Sequence, residues 1–169
     1  GQVLGVRMSI LGLESIGIKD PHGEDRKKLY VFVEIDRCAT DAIQSVTGCS
    51  LGKRTLYWLD HGVMAATFVN LETDCAVRIT ALEESRELSK KYFNDHFDQH
   101  QNQLEAYKIM APEELFKVER VRVTIPASNL PGKPTNKVQC VQCGEWVQDQ
   151  REYRVDNSAL CNGCAKGRY

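Results

Sequence analysis

The sequence predicts an α+β protein, a mixed or antiparallel sheet covered by helices, followed by a small separate module at its C-terminal end. Three observations predict it. A nearly continuous apolar run, Leu29 to Ile35 (LYVFVEI), is followed by three strand-like segments with turn signals between them. Amphipathic helical patterns flank these segments. Residues 127–137 (ASNLPGKPTNK) hold two prolines, a glycine and no aromatic residue, and they separate all of this from a cysteine-rich tail. The expected organisation is a core of residues 1–126, a linker of 127–137 and a four-cysteine module of 138–169.

Taken in order, residues 3–16 place Val3, Leu4, Ile10, Leu11 and Leu13 on one helical face, and Gly17 is a natural stop. Residues 19–28 (KDPHGEDRKK) are a polar loop. Leu29–Ile35 reads as a buried central strand. The following DRCATDAIQSVTG reads as a short helix capped by Asp36 or Thr40 and ended by Gly48. Thr55–Asp60 turns at His61-Gly62 into Val63–Asn70, and a second turn leads to Cys75–Thr80, which suggests an antiparallel meander. Leu82 to Lys108 is charged and helical, with Leu88, Tyr92, Leu104 and Tyr107 recurring at helical spacing. Pro112 opens a further turn of helix. Val118–Ile125 alternates as a strand with one wet face, and Pro126 closes it.

The composition is that of a globular protein, with 42% hydrophobic and 27% charged residues and a net charge of −1. Residues 127–169 carry +2 and residues 1–126 carry −3, too weak a split to favour a nucleic-acid partner. No run approaches the roughly 20 apolar residues of a membrane span. No signal-peptide pattern opens the chain, which starts at Gly1 with residues that already read as helical. Seven cysteines, four of them in two CxxC pairs, suit metal binding in a reducing compartment better than a disulfide framework, so a cytoplasmic protein is expected.

Cys140-x-x-Cys143 and Cys161-x-x-Cys164 supply the four thiolates that zinc takes in a closed tetrahedral site. Gly144 gives the tight turn after the first pair. Residues 145–148 and 151–155 can form a hairpin, and LCNGCAKGRY can start a short helix, as in a treble clef; a zinc ribbon is the alternative. A tail of this size cannot bury enough surface to fold alone, so the metal supplies its folding free energy. A closed site of this kind leaves no open position for catalysis.

The segment VEIDRCATDAIQSVTGCSLGKRTL, residues 33–56, is the chemically dense part of the core. Cys38 falls at the start of the predicted helix, where the macrodipole favours negative charge. Asp41 and Gln44 follow on the same face. Cys49 falls beyond the far end, roughly 15 Å away for a ten-residue helix. Packing is the competing reading: Cys38 and Cys49 as thiols that fill space, Asp41 as a first-turn acid and Lys53 as a solvated charge. His96 and His100 share a helical face without an HExxH pattern and read as solvated; Cys75 reads as a packed strand residue. Trp146 reads as covering the zinc module or docking it onto the core.

The run E-x-D-R-C-A-x-D-A-I-Q-x-x-T-G-C-x-L-G-K resembles the signature of the formylmethanofuran dehydrogenase E-subunit family. The opening GQVLGVRM resembles that family's first core helix, and the terminal cysteines match the zinc finger that many members carry. The resemblance implies an α+β core, an auxiliary treble-clef zinc finger, a homodimer and association with the other polypeptides of formylmethanofuran dehydrogenase. That enzyme reduces carbon dioxide onto methanofuran at a molybdenum or tungsten pterin held elsewhere, so a member is a non-pterin component or a stand-alone relative. Carrying the motif over gives Cys38, Asp41, Gln44, Cys49 and Lys53 as the core site. Cys38 is then the ligand of a second metal, or a nucleophile; Asp41 and Gln44 orient what binds; and Lys53 holds an anionic group. The family pattern also has a His-x-His segment just before the residue matching Gly1. Three rival classes are a free-standing enzyme using Cys38, a regulatory or nucleic-acid-binding zinc protein, and a pure assembly module.

Overall fold

The computed structural model describes residues 1–92 and 98–168. Its contacts divide the chain into two compact units, Gly1–Val123 and Thr124–Tyr169. The first unit is α+β. It contains, in order, α1 (Gln2–Ser15), β1 (Leu29–Val33), α2 (Cys38–Thr47), β2 (Leu56–Trp58), β3 (Ala65–Asn70) and β4 (Cys75–Ala81). Then follow α3 (Ser85–Ser89), α4 (Gln99–Ile109), α5 (Pro112–Leu115) and β5 (Phe116–Arg120).

The five strands form one mixed sheet in the order β2-β1-β3-β4-β5. β1 runs parallel to β2 and antiparallel to β3, and the remaining neighbours are antiparallel. The segment around Leu56–Trp58 therefore does not form a hairpin with β3, as the short spacer suggested. Leu59 N donates to Val33 O and Val63 N to Glu34 O, while Gly62 at φ +67 turns the chain over the end of β1. β2 and β3 thus flank β1, and four of its five residues are buried. Leu29, Val31 and Val33 join Phe68, Val77 and Ile79 in the core under the helices.

Of the expected face of α1, Leu4 and Leu13 are buried and Val3 and Leu11 pack against the core, and Ile10 alone departs from it. Leu4, Gly5, Met8, Ser9, Gly12 and Leu13 are buried, whereas Ile10 is 47% exposed. Two glycines set this orientation. A Cβ at Gly5 would stand 2.5 Å from Ala39 O and 2.9 Å from Ala42 Cβ, and one at Gly12 would collide with the Phe68 ring. The small residues permit close approach, and Val6 and Ile10 turn outward. Gly17 (φ +72) and Gly48 (φ +68) end α1 and α2 as expected. The residue capping α2 is Arg37, without a side-chain cap bond. Thr40 instead donates from its hydroxyl to Ile35 O.

The described part of the 82–108 region holds two helices, α3 and α4, and His96 lies outside the described residues. Tyr92 and Leu104 are exposed, and α4 buries Ala106 and Tyr107. β5 starts and ends earlier than its sequence pattern. It pairs from Ala81↔Phe116 to Val77↔Arg120, Val121 N still reaches Ala76 O, and β4 then runs out of residues to pair.

The second unit has a 3-10 turn at Ala127–Asn129, β6 (Lys137–Gln139), β7 (Trp146–Gln148), β8 (Tyr153–Val155), β9 (Ser158–Leu160) and α6 (Asn162–Lys166). Its hairpins are β6–β7 and β8–β9. The expected pairing of 145–148 with 151–155 is not made. The first CxxC is itself the turn between β6 and β7, with Cys140 N donating to Glu145 O and Gly144 N to Cys140 O. Asp149 and Gln150, both at positive φ, then lead the chain away to β8. No helix among the described residues is long and apolar enough to cross a membrane.

Candidate metal centre and the start of helix α2

Each cysteine of the tail sits on a structured turn. Cys140 and Cys143 bracket the β6–β7 turn, Cys161 caps α6, and Cys164 lies in the first turn of that helix. The four sulfurs lie within 4.8 Å of one another, and Cys143 and Cys161 are 3.7 Å apart. A tetrahedron with 2.3 Å metal–sulfur bonds has edges of about 3.8 Å, so the cluster fits one metal ion. It is far from the roughly 2 Å of a disulfide, and all seven cysteines are free. Backbone N–H groups of Cys161 and Cys143, then of Gln142, hold the Cys140 thiol down to about 6. The neighbouring Cys161 sulfur pushes Cys164 up to about 12. Cys164 N also donates to Cys161 Sγ at 3.3 Å, and Arg168 reaches Glu145 beside Cys143 at 3.2 Å. Knuckle, hairpin and short helix together are compatible with a zinc-binding finger. Trp146 is 57% exposed, with Lys137 Nζ 4.9 Å from its ring centre.

In the core, Cys38 is the first residue of α2 and is exposed. A Cβ built on Gly1 would lie 3.4 Å from Cys38 Cβ, and Gly5 packs on Ala39 and Ala42. The two helices therefore run in the same direction and start side by side. The N-terminal end of α2 lies at this contact, and the start of a helix favours negative charge. Asp41 is exposed in the first turn and Gln44 is half-buried one turn on. Cys49 lies past the opposite end, 3% exposed, where burial pushes its thiol up. Lys53 Nζ donates to Gly48 O at 2.9 Å, and His22 Nε2 lies 3.0 Å from Val46 O, so both sit on the last carbonyls of α2. The structure thus gathers Cys38 and Asp41 at one end of the helix, Cys49 and Lys53 at the other, and Gln44 between.

One ionic cluster escaped the reading of the motif. The Glu34 side chain is 5% exposed and receives Arg78 Nε and Nη2, each at 2.7 Å. His61 Nδ1 approaches the same carboxylate at 3.4 Å, and Arg78 Nη1 also reaches Thr80. Arg78 holds the Glu34 carboxyl below the usual carboxylate range. The available signal was a single charge inside each of two apolar strand runs, LYVFVEI and CAVRIT. Elsewhere in the sheet, the Arg120 guanidinium meets the half-buried Cys75 sulfur at 2.6 Å.

Residues 1–121 match the family described as "FmdE, Molybdenum formylmethanofuran dehydrogenase operon". A curated protein of Archaeoglobus fulgidus, named a probable S-adenosyl-L-methionine-binding protein, is 31% identical over 188 residues. That alignment covers 98% of this chain and 49% of the relative, so the chain spans about half the length of the curated protein. The crystal structure of an FmdE-like protein of tungsten formylmethanofuran dehydrogenase type, from Syntrophus aciditrophicus, superposes with a TM-score of 0.64. It covers 99% of this chain and 84% of that one at 22% identity, a likeness of fold.

Proposed function

The chain belongs to the FmdE family, and from that premise we propose that it is a metal-binding accessory protein of the formylmethanofuran dehydrogenase E-subunit type. In this reading it serves one-carbon metabolism, the passage of carbon dioxide to formylmethanofuran, in the cytoplasm. Its partners are a second copy of itself and the other polypeptides of that enzyme. Zinc occupies the four-cysteine site as a structural ion, and a second metal binds at Cys38. The observation that carries the core site is the convergence of the α1 and α2 starts on Cys38. A His-x-His segment ahead of Gly1, as in the family pattern, would enter the fold at this point. Cys38 is then a ligand, Asp41 and Gln44 orient the bound group from α2, and Lys53 and Cys49 fix the far end of that helix.

Elemental analysis of the protein with its natural N-terminus tests this. About two metal ions per chain are expected, falling to about one in Cys38→Ala with the fold unchanged. One ion per chain in both proteins would remove the core site and leave an assembly module carried by its zinc tail.

The curated relative's name supports a second reading, in which the core binds S-adenosylmethionine. The start of α2 suits that ligand's carboxylate. Saturable heat on titrating it into the protein would favour this reading, and none at about millimolar ligand would retire it.

A further inference from the structure

Two apolar residues, Val6 and Ile10, stand on the outward side of α1 between Gln2 and Glu14, and no described element of its unit covers them. Val6 is 37% exposed and Ile10 47%. Beside them runs an open groove of about 210 Å³ lined by Arg7, Ile10, Leu11, Glu14, Pro112 and Phe116. Scattered exposed apolar side chains need no explanation, but a stripe bordering a groove does. Ile109, 61% exposed, extends it at the Arg7 end, because Arg7 Nη1 holds the turn that carries it through Tyr107 O (2.9 Å) and Met110 O (2.5 Å).

The charges at the ends of the groove select the occupant. Arg7 is fixed by those two carbonyls, so its remaining N–H groups are presented without loss of side-chain freedom. Glu14 lies seven residues on, roughly 10 Å along the helix axis, and its carboxylate has no ion pair among the described residues. A small apolar anion would use Arg7 and be repelled by Glu14. A reversed copy of the same stripe would use both.

We propose that the outward face of α1 is a two-fold interface with a second copy of this chain. The two α1 helices pack antiparallel, Arg7 of each copy opposite Glu14 of the other and Ile10 of each over the groove of the other. The inference rests on the homodimer of the proposed function and assigns it a surface.

The test is light scattering and sedimentation of the full chain over a dilution series. Ile10 is exposed, so Ile10→Asp leaves the fold intact, which circular dichroism and tail metal content verify. We expect it to weaken the dimer at least about tenfold. Glu14→Arg, which sets like charges opposite each other twice by symmetry, should weaken it about three- to tenfold, with part of the loss recovered in high salt. A wild-type monomer at about 100 μM would overturn the homodimer and this surface together. A wild-type dimer that neither substitution weakens would overturn the surface alone and leave the homodimer standing.

Discussion

The two units of this chain are closed by different means. The first buries most of a sheet under helices as long as 14 residues. The second has three-residue strands and a five-residue helix, and of its described residues only Cys140 and Ala159 are buried apolar ones. The core spreads its fold information over dozens of contacts, so few single changes erase it. The tail concentrates that information in four sulfur atoms. Removing the metal is therefore the largest perturbation available. A strong chelator, or Cys161→Ser, should unfold residues 137–166 completely, with loss of their dispersed amide resonances and rapid proteolysis, while the core spectrum stays in place. A tail that keeps its dispersion without metal would erase the contrast.

The equivalent weak point of the core is a backbone contact rather than a ligand. Gly5 lets α1 lie against α2, with 2.5 Å from an added Cβ to Ala39 O. Gly5→Ala gains about 1 kcal/mol of helix propensity and loses more by forcing the helices apart. A net loss of about 2 kcal/mol is expected, roughly 8 °C in the melting temperature of a unit this size. It should also disturb Cys38, which sits at the same contact, and leave the tail's metal content unchanged. An unaltered melting temperature would mean that α1 can shift freely, and the convergence at Cys38 would lose its rigidity.

The difference between the units also explains what the sequence made readable. Four cysteines at two CxxC spacings report a metal cluster directly, because the ligands are the fold. The apolar run of β1 and the stops at Gly17 and Gly48 were equally legible, since each is a local property of the chain. What failed depended on partners distant in sequence. On α1 only Ile10 was misplaced, because the close approaches of Gly5 and Gly12 turn it outward. A short spacer suggested a β2–β3 hairpin, although β2 pairs with β1, and β5 ends where β4 runs out. In the tail, the hairpin was misplaced because the first CxxC is a turn as well as a ligand pair. The separation of Cys38 and Asp41 at the start of α2 from Cys49 past its end follows from helix geometry alone. The Glu34–Arg78 pair could not be read from spacing, because it requires the register that sets β1, β3 and β4 side by side.

That pair provides the finest test, since it asks whether the core contains any element resembling the tail's concentrated design. Glu34 is buried and Arg78 is 29% exposed. Glu34→Gln removes the charge but keeps the shape, and Arg78 keeps Thr80 and the nearby Glu119. A cost of about 1–2 kcal/mol is therefore expected, below that of breaking a fully buried pair. Its pH dependence has a definite sign. Because Arg78 lowers the folded carboxyl's pKa, the stabilisation is fully present above the ordinary carboxylate range and is lost as pH falls through the folded value. Denaturation of both proteins from about pH 7 to about pH 3 should show their stability difference shrinking toward the acid end. A difference that stays constant with pH would mean that the substitution acts through packing, and the ion pair would then contribute no more than its volume to a core already held by apolar contacts.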